Sequence, residues 1–374
     1  MSELLVRGGR GADGSPCEVA IAAGRIVEPG RGSGPTYDAA GLTVLPGLID
    51  LQVNGVAGVD LTLEPERLWE AAAALPRFGT TAFLPTVISS APEAREQALA
   101  TFAAGPPDGW AGAVPLGLHF EGPMLAAARK GAHPEEWLRP PSVALVADWS
   151  RSVGVAMVTV APELPGALDV ITDLVARDVV VAVGHTEATA GEVAAAVEHG
   201  ARVVTHLGNA MPPLSGRDPG PIGAALAERR LVPGVIADGH HLDPVTLAGW
   251  WQTLGSERLL AVTDCTAALG MPDGPARLGA QHVVVRDGTV RLEDGTLAGS
   301  AASLPQCLQT LQAATGCSLA DAVTTCTATA AGVVGDPDRG SLRPGTRGDL
   351  TLVDADLQVV ATVVGGRIVH GGPR

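Results

Sequence analysis

Val179-Val180-Val181-Ala182-Val183-Gly184-His185-Thr186 is an apolar run of strand length that ends in a histidine. Amphipathic, alanine-rich stretches of helix length flank it, at Ala167 to Ala176 and at Thr189 to Gly200. Apolar strands that alternate with helices are the units from which parallel sheets are built. This stretch therefore predicts one βα unit of an α/β fold, with a histidine at the carboxyl end of its strand.

The same alternation recurs along most of the chain. Eight strands are predicted, at Gly47 to Gln52, Thr81 to Val87, Ala113 to Phe120, Gly154 to Val160, Val179 to Val183, Arg202 to His206, Gly234 to Ala237 and Leu259 to Thr263. The helices predicted between and after them include Glu64 to Phe78, Ala91 to Ala104, Ala167 to Ala176, Thr189 to Gly200, Pro244 to Leu254 and Ser303 to Ala314. This order indicates a (β/α)8, TIM-like barrel over residues 47–339.

The two ends of the chain have a different pattern. Residues 1–46 and 340–374 contain short β segments that are separated by glycine and proline, and they lack helical periodicity. We therefore expect both ends to pair into one small β-sandwich domain beside the barrel.

Composition limits the class of protein. The chain has 374 residues, is 46% hydrophobic and carries a formal net charge of -15. Such a charge argues against binding to nucleic acid or to an anionic membrane. The five cysteines form no CxxC pair, no apolar run reaches membrane-spanning length, and no basic leader precedes an apolar core. These features predict a soluble, cytoplasmic protein.

Four potential metal-site residues stand at the ends of predicted strands. Glu121, His185 and His206 supply the three oxygen and nitrogen donors that a catalytic zinc typically has. Asp264 occupies the same position on a later strand and can act as the base that hydrolysis at a metal needs. A single histidine at a strand end is usually structural, but barrel active sites are built where these four side chains converge. The pattern predicts a metal-dependent hydrolase.

Several further runs, in the same order along nearly the whole chain, carry a resemblance to a known family. They are Pro46-Gly47-Leu48-Ile49-Asp50, His119-Phe120-Glu121-Gly122-Pro123, Lys130-Gly131-Ala132-His133, Gly184-His185, Thr205-His206-Leu207-Gly208-Asn209-Ala210-Met211-Pro212, Ala237-Asp238-Gly239-His240-His241, Val262-Thr263-Asp264 and Leu297-Ala298-Gly299-Ser300. Together they resemble the N-acetylglucosamine-6-phosphate deacetylases of the amidohydrolase superfamily.

The resemblance implies a function and a set of residues. It implies deacetylation of N-acetylglucosamine 6-phosphate, with one divalent metal per site held by Glu121, His185 and His206. Asp264 would be the catalytic acid and base, and His133 would help to stabilise the negative charge that develops on the carbonyl oxygen. The substrate contacts that it implies are Ala132, Asn209, Ala210, Arg217, His241, Leu297, Ala298 and Gly299. It also implies a homodimer in which Arg217 reaches the neighbouring site.

Two departures from the family pattern bear on these expectations. Gln52-Val53-Asn54 stands where many amidohydrolases have His-x-His, and neutral amides are poor ligands for a second transition metal. We therefore expect one metal, with zinc as first choice and iron or manganese as alternatives. Gly208 replaces an aromatic residue that is common in the family, which predicts a wider sugar pocket.

Three alternatives stay open. The substrate could be a related N-acyl amino sugar such as N-acetylgalactosamine 6-phosphate. A cyclic-amide or N-acyl-amino-acid hydrolase usually needs two metals and a modified lysine, whereas Lys130, the only lysine, lies in a predicted loop. A non-catalytic scaffold would have lost a ligand or the acid, and all four residues are present.

Overall fold

The computed structural model describes residues 3–28 and 34–372, so residues 1–2, 29–33 and 373–374 of the predicted terminal domain lie outside the described part. Its central feature is a barrel of eight parallel strands. These strands are β6 (Leu48–Val53), β9 (Thr80–Ile88), β11 (Leu118–Glu121), β12 (Val155–Val160), β13 (Val180–Val183), β14 (Val203–Val204), β15 (Val232–Ile236) and β16 (Leu260–Val262). They neighbour one another in that order, which confirms the predicted (β/α)8 class.

The last strand meets the first and nearly closes the barrel. Val53 forms an isolated parallel bridge with Cys265, beyond the end of β16. Below that bridge, the backbone amide and the hydroxyl of Thr263 donate to the carboxylate of Asp50 at 3.2 Å and 2.5 Å. Side-chain hydrogen bonds therefore link β6 to the segment after β16, where an isolated bridge stands in place of a backbone ladder.

Alternating residues of the strands have different environments, as the pleat requires. Phe120 and Val158 point outward into the main apolar cluster, which also contains Leu174 of a surrounding helix. On the opposite side of the same strands, His119 Nε2 lies 2.8 Å from Thr159 Oγ1 inside the barrel. Glu121 shares this inner side with His119, so its carboxylate lies at the top of the barrel interior.

Nine α-helices accompany the strands in the described residues. They are α1 (Leu68–Ala74), α2 (Pro92–Ala104), α3 (Ala167–Ala176), α4 (Ala190–Glu198), α5 (Gly220–Ala227), α6 (Pro244–Arg258), α7 (Leu304–Thr315), α8 (Leu319–Thr324) and α9 (Ala328–Val334). Helix α4 begins with a capping box, in which Thr189 accepts from the Glu192 amide and Glu192 accepts from the Thr189 amide. None of the described helices is both long and apolar enough to cross a bilayer.

Both ends of the chain pair into one eight-stranded sheet, as predicted. Its strands are β1 (Glu3–Arg10), β2 (Pro16–Ala22), β3 (Arg25–Val27), β4 (Thr36–Asp38), β5 (Thr43–Pro46), β21 (Leu350–Val353), β22 (Val359–Val364) and β23 (Arg367–His370). β21 pairs antiparallel with β5, which joins the two ends directly before the barrel begins. The sheet has its own apolar cluster, including Val6, Ile21 and Leu352.

A second antiparallel sheet lies within the range predicted as barrel alone. It consists of β17 (Gly274–Leu278), β18 (Gln281–Arg286), β19 (Thr289–Leu292) and β20 (Leu297–Ser300). Two short pairs complete the strands, β7 (Gly55–Val56) with β8 (Val59–Asp60), and β10 (Val114–Pro115) beside β9. The inserted sheet, as we call β17 to β20, covers one side of the barrel mouth.

The remaining differences from prediction are local. The helix predicted over Glu64 to Phe78 is a short α1 between two 3-10 turns, Pro65–Arg67 and Leu75–Phe78, because Pro76 cannot continue the helical ladder. The strand predicted over Ala113 to Phe120 is divided into β10 and β11 at Gly117, where φ is +115°. Neither difference alters the position of Glu121 at a strand end.

Candidate active site

Three side chains converge at the carboxyl ends of the barrel strands β11, β13 and β14. Glu121 ends β11, and His185 and His206 each follow their strands by two residues. His206 Nε2 lies 3.0 Å from Glu121 Oε1 and 3.0 Å from His185 Nε2. His185 Nε2 lies 3.3 Å from the same carboxylate oxygen. One carboxylate oxygen and two imidazole nitrogens, all buried, therefore face one point.

These donor atoms fit a single divalent metal. His185 Nδ1 lies 2.8 Å from the carbonyl oxygen of Arg129, so Nδ1 carries the proton and Nε2 keeps a lone pair. Lone pairs and a carboxylate at such short distances repel one another unless a cation or a proton lies between them. A tetrahedral metal about 2.1 Å from each donor would separate the donors by about 3.4 Å, close to what is observed.

The electrostatics of Glu121 agree with a ligand role. Burial opposes its charged form, but the neighbouring imidazoles of His133, His185 and His206 outweigh burial and hold the pKa of Glu121 well below its usual range. Gln52 adds a further hydrogen bond, from Nε2 to Glu121 Oε1 at 3.1 Å. Glu121 is therefore a carboxylate at neutral pH, as a metal ligand must be.

The backbone at three of these residues is strained. His185, His206 and Asp264 have φ values of +48°, +26° and +51°, in the left-handed region that residues other than glycine rarely adopt. Each follows a parallel strand, so the strained residue turns the chain and places its side chain at the barrel mouth. Such strain is concentrated at functional sites in proteins.

Asp264 lies beside the three donors but is not one of them. It is 8% exposed, and Asn54 Nδ2 donates to its Oδ1 at 2.7 Å. Burial, together with the negative charge of Glu121, raises the pKa of Asp264 to about 6. A carboxyl group with a pKa near neutral pH can both accept and donate a proton during a reaction.

The side-chain amides of Gln52 and Asn54 donate hydrogen bonds to the carboxylates of the site, those of Glu121 and Asp264. Gln52 receives a hydrogen bond from Thr205 Oγ1 at 2.9 Å, which fixes the side-chain amide so that its nitrogen points at Glu121. Asn54 donates from Nδ2 to Asp264, although its own Oδ1 has no hydrogen-bond partner among the described residues. The sequence predicted only that these residues are poor metal ligands. Their roles depend on contacts between barrel strands, which a single sequence does not reveal.

His133 packs edge-to-face against His185, with ring centroids 4.4 Å apart, and faces the other carboxylate oxygen of Glu121. Its Nε2 is 3.7 Å from Glu121 Oε2, and only 3% of its side chain is exposed. Burial and the neighbouring His185 lower the pKa of His133 to about 4. His133 is therefore a neutral imidazole at neutral pH, next to the proposed metal position.

A cavity of about 460 Å³ opens over this centre. It is lined by all the sequence-predicted site residues except Arg217, namely Ala132, His133, Asn209, Ala210, His241, Leu297, Ala298 and Gly299 with Glu121, His185, His206 and Asp264. The inserted sheet contributes Leu278, Arg291 and Thr296, which the sequence did not predict. A cavity of this size suits a small molecule such as a substituted sugar.

Arg217 does not line the cavity of its own subunit. It is exposed in the connection between β14 and α5, and no acidic residue in the described part of the chain forms an ion pair with it. Arg217 therefore does not pair with its neighbour Asp218 either. Within one subunit, the structure separates Arg217 from the other predicted site residues.

The two neighbouring histidines, His240 and His241, are clearly distinguished. His240 is exposed, whereas His241 lines the cavity, and only 4% of its side chain is exposed. His241 Nδ1 lies 2.7 Å from Asp238 Oδ2, and the hydrogen bond with His241 lowers the pKa of Asp238 although burial opposes this. Asp238 belongs to a run used for the resemblance, but no role was predicted for it.

The expectation about Gly208 is wrong. Gly208 is not among the residues that line the cavity, and a Cβ atom there would lie 2.7 Å from the Trp250 ring. Trp250 and Leu242 fill the space beside this glycine, where φ is +87°. The absence of an aromatic side chain at position 208 therefore does not widen the sugar pocket.

Comparison with known proteins places the chain among enzymes. Residues 43–369 match the model of the Amidohydrolase family. The chain is 36% identical over 332 residues to N-acetylglucosamine-6-phosphate deacetylase of Bacillus subtilis (strain 168), covering 87% of this chain and 84% of that protein. It is 34% identical over 344 residues to N-acetylgalactosamine-6-phosphate deacetylase of Shewanella sp. (strain ANA-3), covering 90% of this chain and 85% of that protein.

A solved structure agrees with these sequence relatives. It is a mutant of N-acetyl-D-glucosamine-6-phosphate deacetylase from Mycobacterium smegmatis in complex with N-acetyl-D-glucosamine-6-phosphate. The two structures superpose with a TM-score of 0.87 at 33% sequence identity, covering 99% of this chain and 100% of the other. The likeness therefore includes both the barrel and the terminal sheet.

Proposed function

Since this chain belongs to the amidohydrolase family, we propose that it hydrolyses the acetamide of N-acetylglucosamine 6-phosphate to glucosamine 6-phosphate and acetate. The observation that carries this function is the convergence of Glu121, His185 and His206 beside Asp264, in one cavity of suitable size. Enzymes of the family depend on metals, and the donor set supports one divalent ion, with zinc proposed first and iron or manganese as alternatives.

The reaction breaks the carbon–nitrogen bond of the acetamide and forms a carbon–oxygen bond to the same carbonyl carbon. Water adds to the acetyl carbonyl carbon, and the carbon–nitrogen bond then breaks to give acetate and the free amine. Glu121, His185 and His206 would hold a divalent metal, which would supply a Lewis acid for activating water and polarising the carbonyl. Side chains of the protein carry out the remaining steps.

Asp264 serves as base and then as acid. Its carboxylate accepts a proton from the attacking water, and the resulting carboxylic acid donates that proton to the departing nitrogen. A pKa of about 6 suits both steps because neither protonation state is far from neutral pH. Asn54 donates a hydrogen bond to Oδ1 of Asp264, so Oδ2 of Asp264 is available for this proton exchange.

The carbonyl oxygen and the phosphate need hydrogen-bond donors. His133, neutral and beside Glu121, is placed to donate to the oxygen on which negative charge develops. His241, with Asp238 behind it, faces the cavity together with Asn209 and Ala210. We assign this side to the phosphate, and Ala132 with Leu297 to Gly299 to the sugar and its acyl group.

Arg217 can contribute to the phosphate site only from a second copy of the chain. It is exposed and does not reach the cavity of its own subunit. A guanidinium group is suited to bind phosphate in a planar, bidentate way. We therefore propose a homodimer in which Arg217 of each subunit completes the phosphate site of the other.

The expected cytoplasmic location stays a prediction. The five cysteines carry free thiols, which is the state that a reducing compartment maintains.

Acetate release by the purified, metal-loaded protein tests the proposed function. Substrates are N-acetylglucosamine 6-phosphate, the unphosphorylated sugar and N-acetylgalactosamine 6-phosphate. We expect the first to give the highest kcat/KM, whereas a preference for the third would favour the galactosamine alternative that the Shewanella relative suggests. Equal rates with and without phosphate would contradict the assignment to a phosphorylated sugar.

The role of Asp264 is tested in the same assay. Asp264→Asn should lower kcat by at least about 100-fold, because an amide cannot exchange the proton. Metal content, measured by elemental analysis, should not change, because Asp264 is outside the donor set. Asp287→Asn is the matched control, since Asp287 is also an aspartate at positive φ but lies in a turn of the inserted sheet. Full activity in Asp264→Asn would overturn the mechanism.

A further inference from the structure

Ser89, the residue that follows β9, contacts His133 through two of its atoms. The backbone nitrogen of Ser89 lies 3.2 Å from His133 Nδ1, and its hydroxyl oxygen lies 2.9 Å from the same ring nitrogen. Ser89 and His133 are both buried, with 1% and 3% of their surface exposed. No sequence motif that pointed to the site included Ser89.

The backbone contact determines where the proton of His133 lies. A backbone N–H can only donate, so Nδ1 must be the acceptor and cannot carry a hydrogen. The single proton of the neutral ring is therefore on Nε2, the nitrogen that faces Glu121 and the cavity. A doubly protonated ring would direct an N–H group at the N–H group of Ser89.

We propose that Ser89 is a positioning residue, which fixes His133 as the neutral tautomer with its proton on Nε2, ready to donate to the substrate's carbonyl oxygen. This proposal rests on the proposed function, because it supplies the donor that the oxygen needs when negative charge develops on it. With the other tautomer, an Nε2 lone pair would face that charge and would oppose the reaction.

Gly122 provides the space in which Ser89 sits. It has φ of +83°, and a Cβ atom at this position would lie 2.5 Å from the Ser89 hydroxyl oxygen. The Ser89 hydroxyl also lies 3.4 Å from the carbonyl oxygen of Glu121, the residue before this glycine. The segment that carries the proposed metal ligand therefore also holds the serine against His133.

A further imidazole that lines the cavity, that of His241, has the opposite arrangement. His241 Nδ1 has a carboxylate partner, Asp238, instead of an N–H group. Its Nδ1 therefore carries a proton, which it donates to that carboxylate. The two rings thus differ in the partner of Nδ1, because Nδ1 of His133 accepts from the Ser89 amide whereas Nδ1 of His241 donates to Asp238.

Nitrogen-15 NMR of the zinc-loaded protein, with labelled histidine, tests the tautomer directly. The signals of His133 are identified by their loss in His133→Gln. We expect one protonated and one unprotonated ring nitrogen at pH 7.5, with the proton on Nε2. A proton on Nδ1, or on both nitrogens, would overturn the proposal whether or not the protein is a deacetylase, because this measurement needs no substrate.

A double-mutant cycle tests whether Ser89 acts through His133. Ser89→Ala removes one of the two donors to Nδ1, and loss of a neutral hydrogen bond corresponds to about a fivefold fall in kcat. KM should stay within about twofold, because the effect belongs to the transition state. In the His133→Gln background the same substitution should have no further effect on kcat.

Ser90→Ala is the matched control, since the adjacent hydroxyl is buried and makes no hydrogen bond in the described part of the chain. We expect its kcat and its thermal unfolding midpoint to match the wild type. If Ser89→Ala lowered kcat equally with and without the His133 imidazole, Ser89 would act on the fold and the proposal would fail. An unchanged kcat in Ser89→Ala would also count against it.

Discussion

Asp238 and His241 form a buried pair whose loss should affect the binding of phosphate more than the chemical step. Their side chains are 2% and 4% exposed, and their hydrogen bond is 2.7 Å long. Asp238→Asn keeps the size of the side chain but removes the negative charge that strengthens the hydrogen bond with His241 Nδ1. A charged hydrogen bond contributes about 1.5–3 kcal/mol, so we expect KM for the phosphorylated sugar to rise at least about tenfold, with kcat nearly unchanged.

Initial rates with phosphorylated and unphosphorylated N-acetylglucosamine measure this effect. Asp243→Asn is the control, because Asp243 is an exposed carboxylate nearby that caps α6, and asparagine caps a helix equally well. If Asp238→Asn reduced kcat/KM for both sugars by the same factor, Asp238 would have no special role towards the phosphate.

At the scale of residues, the sequence revealed the groups that stand at strand ends. Glu121, His185, His206 and Asp264 could be predicted because an ionisable residue directly after an apolar strand of a parallel barrel lies at the end where active sites are built. Asn54 could not be assigned as the partner of Asp264, because 210 positions separate them and no local pattern links them. The tautomer of His133 likewise depends on Ser89, 44 positions earlier.

The inserted sheet covers the barrel mouth, so its packing should control the affinity for substrate. Val290 of β19 is fully buried, in a cluster with Ile88, Ala132 and Leu278. Val290→Ala leaves a cavity that costs about 1–2 kcal/mol and loosens the sheet, including its cavity-lining residues. We expect KM to rise severalfold while metal content stays the same, because Glu121, His185 and His206 lie on other strands.

Hydrogen exchange over residues 274–300 checks whether the change is local. Exchange should become faster there, with little effect on the barrel strands, since local opening is possible without global unfolding. Val284→Ala, on the exposed face of the same sheet at 40% exposure, should leave both exchange and KM unchanged. An unchanged KM in Val290→Ala would show that the sheet does not shape the site.

At the scale of elements, alternation predicted the barrel strands but not the insertion. The strands β12 and β13 agree with prediction within one residue, because uniformly apolar runs are typical of strands buried on both faces. Helix α5 was not predicted, since Gly220, Pro221 and Gly223 disfavour a helix in isolation, and packing against α4 stabilises it. The inserted sheet was not predicted because three of its strands, β17, β19 and β20, are short and lack a continuous apolar run.

For the molecule as a whole, the closure of the barrel introduces a dependence of stability on pH. Burial raises the pKa of Asp50 to about 7, although hydrogen bonds from Thr263 oppose this. The folded state therefore binds a proton more tightly than the unfolded chain, whose aspartate pKa is about 3.9. As pH rises from about 4 to about 7, Asp50 should lower the free energy of unfolding, by at most about 4 kcal/mol.

Asp50→Asn should remove this contribution. The amide oxygen can still accept from the backbone of Thr263, and the amide nitrogen can donate to its hydroxyl. Denaturant unfolding at fixed zinc should show the variant gaining stability over the wild type as pH rises to 8, with no gain below pH 4. Asp38→Asn, an exposed site in the terminal sheet, is the control. A constant difference at all pH values would contradict this prediction.

The proposed dimer can be tested by combining two inactive subunits. In a heterodimer of Arg217→Ala with Asp264→Asn, only one site holds an intact Asp264, and its own subunit lacks Arg217. If Arg217 acts on the neighbouring subunit, that site receives the arginine of its partner and is complete. The heterodimer, isolated with two affinity tags after co-expression, should then have about half the activity of the wild-type dimer. If Arg217 acts within its own subunit, no site is complete and activity stays at the level of the parent variants. The exposed position of Arg217, outside the cavity of its own subunit, favours the first outcome.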